Sequence, residues 1–305
     1  MSSPNTDSIP DQTGRTAVIT GANSGLGLHT ATALASRGAH VVLAVRNMGK
    51  GQEAARQIAP GGGAEVRELD LSSLDSIRSF ASDLPAERID LLINNAGIMM
   101  TPPQKTADGF ELQLGTNHLG HFALTGLLLD RVQAAEAGRV VTLSSIEHKP
   151  GHIHFDDLQL EKDYAPRKAY QQSKLANAVF GLELDRRLRA AGSPAISVLA
   201  HPGYSDTNLQ STGPTGVMKR LMSVSNRVIA QSAERGALPT LYAATAPGVQ
   251  GGEFYGPDGF NEMRGDPTEV EPTDRARDPE TAKRLWALSE ELTGVSYALP
   301  DPVTS

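Results

Sequence analysis

Cysteine is absent from the 305 residues of the chain. Its absence excludes disulfide bonds, thiolate zinc sites and a cysteine nucleophile. Long apolar runs are absent too, since none approaches the ~20 apolar residues that a membrane-spanning helix requires. The N-terminal stretch MSSPNTDSIPDQTG is polar and lacks the apolar segment of a signal peptide. We therefore expect a cytoplasmic protein without a membrane anchor.

Positive charge is in deficit. The chain has 28 Lys and Arg against 35 Asp and Glu, a net charge of −7. An acidic chain without a basic stripe is a poor nucleic-acid binder, so we expect no nucleic-acid partner. The hydrophobic fraction of 39% and the charged fraction of 21% are typical of a soluble globular enzyme.

Short apolar runs alternate with helical patterns over the first two thirds of the chain. Near-continuous apolar strands bounded by helices are typical of a parallel sheet that is buried on both faces. The pattern therefore predicts an α/β protein with a doubly wound parallel sheet. The predicted strands are TAVIT (16–20), HVVLAV (40–45), AEVRELDL (64–71), IDLLINN (89–95), GRVVTLSS (138–145) and AISVLA (195–200).

The two ends of the chain have weaker patterns. Residues 1–13 are predicted to be a flexible tail and residues 14–305 a single domain. Past His201, GGEFYGP (251–257) is predicted as a last, edge strand. The stretch GDPTEVEPTDRARDPE (265–280) is charged and proline-rich, and it is predicted as a loop before a final helix. The C-terminal third is thus expected to decorate the sheet with helices.

A glycine-rich turn, VITGANSGLG (18–27), joins the first strand to the first helix. Glycines there let the backbone approach a pyrophosphate, and the helix N-terminus supplies free N–H groups. The spacing is G-x-x-x-G-x-G, not the commoner G-x-G-x-x-G, and the alternative is an ordinary strand-to-helix turn. The position of the turn favours a dinucleotide site formed by Gly21, Asn23, Ser24, Gly25, Leu26 and Gly27.

The end of the second strand bears on which dinucleotide binds. An acidic residue there would bind a ribose 2′-hydroxyl, whereas an arginine accommodates a 2′-phosphate. This chain has Val45 followed by Arg46. Arg46 can pair with a 2′-phosphate through two hydrogen bonds, so we predict NADP in preference to NAD. The alternative is that Arg46 is only a solvated residue at the end of a strand.

Two more strand ends complete the predicted cofactor site. Asp70 and Leu71 end the third strand, where an adenine amino group would lie; the alternative for Asp70 is a helix N-cap. NNAG (94–97) ends the fourth strand. Glycine allows close approach to a ligand and asparagine bonds the local backbone, so this turn suits the floor of the site. The predicted floor residues are Asn95, Ala96 and Gly97.

Two Tyr-x-x-x-Lys pairs follow each other, Tyr164–Lys168 and Tyr170–Lys174. Pro166 suits the first position of a helix, which places Tyr164 before that helix. Tyr170 and Lys174 share one helix face at i, i+4. A nearby ammonium group lowers the pKa of a phenol, so this tyrosine can serve as a general acid and base. We therefore choose Tyr170 and Lys174 as the catalytic pair.

With TGANSGLG, NNAG and YQQSK in this order, the chain resembles the short-chain dehydrogenase/reductase (SDR) family over residues 14–260. NHLGHF (117–122), SSIEH (144–148) and HPG (201–203) are similar to its retinol-dehydrogenase-like and protochlorophyllide-reductase-like branch. The resemblance implies a Rossmann fold. It also implies hydride transfer between NADP(H) and a small-molecule carbonyl or alcohol.

The resemblance implies roles for further residues. Only one of the successive strand residues Ser144 and Ser145 can face the site. The family's catalytic serine matches the second, so the resemblance implies that Ser145 would polarise the substrate oxygen. Lys174 would hold the nicotinamide ribose, and Asn117 would anchor a water of the proton relay. The turn after the sixth strand would contact the nicotinamide through Pro202, Gly203, Ser205 and Thr207.

Substrate, assembly and rival functions stay open. An apolar lid is predicted at about 205–235, although its apolar residues suit plain core packing as well. No metal is expected, because the histidines are scattered without a carboxylate-supported triad. Many relatives form homo-oligomers through the two long helices predicted at 108–135 and 166–189. Alternative functions are a catalytically silent nucleotide-binding regulator and an epimerase or dehydratase of nucleotide sugars.

Overall fold

The computed structural model describes residues 8–58, 63–204 and 232–302. Eight strands form one sheet in these ranges. Their bounds are β1 Thr16–Thr20, β2 His40–Val45, β3 Ala64–Glu68, β4 Leu91–Asn94, β5 Arg139–Leu143, β6 Ile196–Ala200, β7 Phe254–Pro257 and β8 Pro267–Glu269.

The sheet has the order β3-β2-β1-β4-β5-β6-β7-β8. The first seven strands pair in parallel, and β8 pairs with β7 in antiparallel fashion. The chain starts in the middle of the sheet, runs outward to β3, and returns to β4 beside β1. This reversal confirms the predicted doubly wound parallel sheet and creates a crevice where the carboxyl ends of β1 and β4 diverge.

Helices lie between the strands. Their bounds are α1 Gly25–Ser36, α2 Met48–Gln57, α3 Leu74–Asp83, α4 Leu112–Leu114, α5 Gly120–Gln133, α6 Pro166–Ala190, α7 Ala233–Thr245, α8 Asp274–Arg277 and α9 Pro279–Thr293. The side chains of β1 alternate between the two covered faces. Ile19 packs in the same apolar cluster as α1, α2 and α7, and Val18 in the cluster of α3, α5 and α6.

The structure corrects two predicted elements. The helix predicted at 108–135 begins at Leu112, where the Glu111 carboxylate accepts hydrogen bonds from the backbone N–H groups of the first turn. A π-helical turn, Gly115–Leu119, then separates α4 from α5. Strand β7 is not an edge strand, because Pro267–Glu269 within the predicted loop pairs along it as β8. These three residues are too few and too polar to show a strand pattern in the sequence.

The predicted flexible tail is wrong for residues 9–12. Ile9 is buried and belongs to the core cluster of α1. Its carbonyl oxygen accepts a 2.6 Å hydrogen bond from Arg37 Nε, and Gln12 N donates to Arg37 O at 2.8 Å. The segment is therefore fastened to the end of α1. Within the described ranges, no helix has both the length and the apolar character needed to cross a bilayer.

The C-terminal helix α9 packs over α6, as the predicted helical decoration. Trp286 of α9 lies 5.2 Å from Phe122, 5.9 Å from Phe180 and 4.6 Å from Tyr297 between ring centroids. The Arg187 guanidinium lies 4.3 Å above the Trp286 ring. Every residue of α6 from 172 to 185 is buried within the single chain. This part of α6 is therefore covered by the rest of the chain, and pairing with a second copy stays a prediction.

We predict that Trp286→Ala destabilises the protein by about 3–5 kcal/mol, because it removes a buried aromatic ring and leaves a cavity. The urea midpoint of unfolding measures this change. The matched control is Phe260→Ala, since Phe260 is an aromatic residue that is 81% exposed. Its free energy of unfolding should stay within about 0.5 kcal/mol of that of the original protein. Equal effects of the two substitutions would contradict the packing role of Trp286.

Candidate active site

The carboxyl ends of β1, β4, β5 and β6 lie along one edge of the sheet. In a doubly wound sheet this edge is where a ligand binds. The structure brings most of the predicted site residues to this edge, on the turns after these strands and on the helices that follow them. Ser205, Thr207 and residues 205–231 of the lid predicted at about 205–235 lie outside the described residues.

The glycine turn after β1 has the form that a bound pyrophosphate requires. Gly21 and Gly25 have φ angles of 66° and 54°, which favour glycine. A Cβ at Gly27 would lie 2.5 Å from Asn95 Nδ2, so no larger residue fits there. Within the described part of the chain, Ser24 makes no side-chain cap for α1, and the first turn of α1 has no acidic residue. Its backbone N–H groups are thus available to an anion.

The NNAG turn is held by two residues that the sequence analysis did not include. Thr20 Oγ1 accepts hydrogen bonds from the N–H groups of Asn95 and Ala96, both at 2.9 Å. His121 Nδ1 faces the carbonyl oxygen of Asn117 at 2.9 Å, so Nδ1 carries the proton. The Thr20 hydroxyl then donates to His121 Nε2 at 2.9 Å. Thr20 directly precedes Gly21, which is the signal that could have identified it.

The outer part of the predicted cofactor site consists of the half-buried Asp70, the buried Leu71 and the exposed Arg46. Asp70 accepts hydrogen bonds from Ser72 N and Ser72 Oγ at 2.9 and 2.6 Å. The N-cap of α3 is Ser73, so the alternative role of Asp70 as that cap is wrong. Leu71 is buried beside Asp70. Arg46 follows β2, is exposed, and makes no hydrogen bond or ion pair with any residue that the structure describes.

Lys174 and Asn117 meet around Gly97. A Cβ at Gly97 would lie 3.3 Å from Asn117 Oδ1 and 3.5 Å from Lys174 Nζ. Asn117 accepts a hydrogen bond from Ile98 N at 2.8 Å and donates to Ile98 O and Ser173 Oγ, both at 2.9 Å. These bonds brace the π-helical turn against the NNAG turn and α6. A side chain on residue 97 would occupy the space that both polar groups face.

Ser144 and Ser145 diverge at the end of β5, as strand alternation predicts. Ser144 is buried, and its hydroxyl donates to Lys174 O at 2.8 Å. The hydroxyl of Ser145 instead accepts a hydrogen bond from Glu147 N at 3.2 Å and lies close enough to the Tyr170 phenol to lower its pKa. Lys174 Nζ lies 5.9 Å from the centroid of the Tyr170 ring. Ser145, Tyr170 and Lys174 therefore lie close to one another in the structure.

Burial controls the protonation of this group. It raises the pKa of Tyr170 to about 12, and the Ser145 hydroxyl lowers that pKa only in part. Burial also lowers the pKa of the Lys174 ammonium to about 8. The expectation that Lys174, together with a bound nicotinamide cation, lowers the pKa of the phenol concerns the oxidised complex and stays a prediction. Tyr170 keeps its proton at neutral pH and is able to donate it.

Lys174 has few partners for a buried cation. Nζ donates to Leu143 O at 3.2 Å, and no carboxylate pairs with it in the described ranges. Asn177 Nδ2 donates to the same carbonyl oxygen at 3.0 Å. Asn177 follows Lys174 by three positions on one helix face, and the sequence analysis overlooked it. The remaining protons of the ammonium group suit hydroxyl oxygens of a ligand.

The other tyrosine–lysine pair, Tyr164 and Lys168, has a structural role. Tyr164 precedes α6, and its hydroxyl donates to Thr101 O at 2.8 Å and accepts from Gln113 Nε2 at 3.1 Å. Lys168 pairs with Asp163 at 3.1 Å on the surface. Tyr164 thus holds the chain that follows β4, and the pair contributes no acid to the site.

The two histidines of α5 and its π-helical turn, His118 and His121, are packed and hydrogen-bonded. His118 Nε2 lies 2.9 Å from Ser289 Oγ, and burial lowers the pKa of His118 to about 3. Burial likewise lowers the pKa of His121 to about 4. Both rings are therefore neutral at working pH. The described ranges contain no group of three His, Asp or Glu side chains arranged for a metal ion.

Comparisons with known proteins agree with this geometry. A family model described as short chain dehydrogenase matches residues 15–215. Retinol dehydrogenase 12 of Homo sapiens is 44% identical over 292 residues, covering 93% of this chain and 88% of that protein. Polyprenol dehydrogenase of Mus musculus is 42% identical over 305 residues, with coverages of 97% and 88%. A crystal structure of an uncharacterized protein from Mycobacterium Paratuberculosis is 48% identical, with a TM-score of 0.83 and coverages of 98% and 100%.

The fold and the site define an oxidoreductase that acts on CH–OH and C=O groups. The chain belongs to the short-chain dehydrogenase/reductase family, and within it to the retinol-dehydrogenase-like branch. Both statements confirm what the sequence resemblance implies.

The burial of Lys174 leads to a prediction about how the stability of the protein depends on pH. The folded pKa of Lys174, about 8, lies below the value of about 10.4 for an unfolded lysine. Between these values the unfolded chain binds more protons, so the Lys174 contribution to stability rises with pH. Relative to Lys174→Met, the original protein should gain stability from pH 8 to 10 and show a constant difference below pH 7.

Urea unfolding of the protein without ligands at a series of pH values measures this change. Lys283→Met is the matched control, because Lys283 is exposed on α9 and its ammonium group remains in water. Its stability curve should run parallel to that of the original protein. Parallel curves for Lys174→Met as well would show that Lys174 is not desolvated.

Proposed function

We propose that this protein transfers hydride between NADP(H) and the carbonyl or alcohol group of an apolar substrate, chiefly in the direction of reduction. The observation that carries the proposal is the buried pair of Tyr170 and Lys174 beside Ser145, with a protonated phenol and an ammonium group that lacks a carboxylate partner in the described ranges. The direction rests on general metabolism, because NADP pools are kept largely reduced.

The residues present fit a dinucleotide. The uncapped N-terminus of α1 would hold the pyrophosphate, and Asn95, Ala96 and Gly97 would form the floor below it. Lys174 would donate hydrogen bonds to the nicotinamide ribose hydroxyls. Gly203, with a φ of 65°, and Pro202 would line the face of the nicotinamide ring. When bound, the dinucleotide supplies or accepts the hydride.

The protein's own groups handle the proton. Ser145 and Tyr170 would both hydrogen-bond the substrate oxygen and polarise the carbonyl group. As hydride reaches the carbon, Tyr170 gives its proton to the oxygen, and the Lys174 ammonium stabilises the phenolate that remains. In oxidation the same phenolate takes the proton back. Asn117 would hold the turn at Gly97. Its role in anchoring a water molecule of the proton relay stays a prediction.

Arg46 supports NADP over NAD. It is exposed at the carboxyl end of β2, and Val45 leaves no carboxylate there to repel a 2′-phosphate. Charge-assisted hydrogen bonds from a guanidinium group would then favour the phosphorylated cofactor.

An apolar substrate is supported by the names of two relatives, since retinol and polyprenol are both largely hydrocarbon alcohols. The lid predicted at about 205–235 and the long connection between Ser145 and Tyr170 would shape the pocket. A cytoplasmic location stays a prediction, as does the oligomeric state.

We predict that Tyr170→Phe lowers kcat by about 10²- to 10⁴-fold, because the proton donor is lost. NADPH absorbance with a panel of aliphatic, aromatic and polyene aldehydes measures turnover. Binding of NADPH, followed by its fluorescence, should change little. Tyr164→Phe is the matched control and should keep its activity. A protein without turnover on any aldehyde would instead support the silent nucleotide-binding regulator.

We predict that Arg46→Ala raises the Kd of NADPH by about 10- to 100-fold, which corresponds to the loss of charge-assisted hydrogen bonds. The Kd of NADH should stay unchanged, because NADH has no 2′-phosphate. Fluorescence titrations with both dinucleotides measure the two constants. Arg56→Ala, at an exposed arginine of α2, is the control. Equal losses for NADPH and NADH would contradict a role of Arg46 in selecting the phosphate.

A further inference from the structure

Three loops at the active-site edge are joined through one carboxylate. Lys149 follows β5, His201 follows β6, and Glu262 lies between β7 and β8. Glu262 Oε1 accepts a hydrogen bond from Lys149 Nζ at 2.5 Å, and Oε2 accepts one from His201 Nε2 at 3.0 Å. We call Lys149, Glu262 and His201 the loop bridge. None of these residues is among the predicted catalytic or cofactor-binding residues.

The His201 ring links Glu262 to the backbone of Gly203, and it can do so only as a neutral ring with its proton on Nε2. Its Nδ1 accepts a hydrogen bond from Gly203 N at 3.2 Å, so the proton lies on Nε2 and is donated to Glu262. The side chain is fully buried, and burial lowers the pKa of His201, which keeps the ring neutral. A protonated ring would lose the bond to Gly203. The neutral ring therefore links Glu262 to the turn at Pro202–Gly203.

The backbone at Glu262 has an unusual conformation where the loop bridge forms. Asn261 and Glu262 have φ angles of 50° and 55°, a region that residues with side chains seldom adopt. Such strain persists only where surrounding contacts enforce it, and it is concentrated at functional sites. Gly256 of β7 gives room for the imidazole ring, since a Cβ there would lie 2.1 Å from His201 Nε2. These features indicate a local structure shaped around this contact.

Each end of the loop bridge reaches a turn of the active site. On one side, Tyr204 N donates to Met263 O at 2.8 Å, so the Glu262 loop holds the Pro202–Gly203 turn through the backbone as well. On the other side, Lys149 directly follows the short 3-10 helix Ile146–His148, whose N-cap is Ser145. His148 Nδ1 lies 2.6 Å from Ser145 O and secures that turn.

We propose that Glu262 is a positioning residue: through His201 and Lys149 it fixes the Pro202–Gly203 turn against the Ser145 turn. It thereby sets the nicotinamide half of the bound cofactor at hydride-transfer distance from the substrate carbonyl that Ser145 polarises. This inference rests on the proposed function. The hydrogen bond from His201 lowers the pKa of Glu262 to about 2, so the carboxylate persists over the working pH range.

The test is Glu262→Gln in the full-length protein. An amide oxygen can accept from only one of the two donors, and its NH2 group opposes the other. We expect kcat to fall by about 10- to 100-fold, the scale on which a misplacement of ~1 Å acts. The deuterium isotope effect with NADPH labelled at the transferred C4 hydrogen should rise, because hydride transfer becomes slower relative to the other steps.

Binding gives a readout that is independent of turnover. NADPH should bind about tenfold more weakly to Glu262→Gln, whereas adenosine 2′,5′-bisphosphate, which lacks the nicotinamide half, should bind as before. A general loss of structure would weaken both ligands and leave the isotope effect unchanged. The paired titrations therefore separate positioning of the nicotinamide from a merely structural role.

Glu65→Gln is the matched control. Glu65 also lies between a histidine and a cation, with Oε2 at 3.5 Å from His40 Nε2 and Oε1 bonded to Arg67. Its side chain is 29% exposed, against 22% for Glu262. It lies near the amino end of β3, away from the active-site edge. All binding and kinetic values should match the original protein.

Lys149→Met tests the loop bridge from its other end and keeps the test valid if Glu262→Gln folds poorly. Lys149 is 37% exposed, so its loss is tolerated by the core. Like Glu262→Gln, it should lower kcat, weaken NADPH binding and raise the isotope effect. The changes in kcat and in the Kd of NADPH should be about threefold. If either folded variant matches Glu65→Gln in all three measurements, the inference is overturned. If the original protein turns over no carbonyl, the proposed function fails, while the two titrations still decide the role of Glu262.

Discussion

The desolvation of Lys174 is the constraint on which the site depends. Its ammonium group is held inside the protein by a single carbonyl oxygen, that of Leu143, among the residues that the structure describes. A buried cation without a counter-charge is costly, and its pKa falls accordingly. The arrangement is favourable only when a ligand completes the shell of hydrogen bonds. Among the described residues, the site is thus suited to a polar, hydroxyl-rich ligand that would complete this shell.

The same burial determines how the phenol works. In the protein without ligands, Tyr170 is more weakly acidic than a free tyrosine, because the loss of water outweighs the effect of the nearby Ser145 hydroxyl. A protonated phenol is suited to reduction, in which it acts as the acid. Oxidation requires the phenolate, which the site stabilises only through Lys174 and the charge of a bound oxidised cofactor. The neutral phenol of the folded chain is therefore suited to the proposed reduction.

The rigidity of the site has two sources on opposite sides. Helix α6 is buried from 172 to 185 between the sheet and the C-terminal helix α9, and Tyr170 and Lys174 are buried side chains of this core element. The turns that face them belong to loops, and loops need side-chain contacts to hold a position. The loop bridge of Lys149, Glu262 and His201 supplies such contacts between strands β5, β6 and β7.

Local residue order was sufficient to place the parallel strands, the start of α6 after Tyr164, and the divergence of Ser144 and Ser145. Each depends on periodicity or on a neighbouring proline, which act within a few residues. Tertiary structure alone decided the π-helical turn, strand β8, the packed segment 9–12, and the protonation of Tyr170 and Lys174. Pairing partners and loss of water come from residues distant in the chain, so no local pattern encodes them.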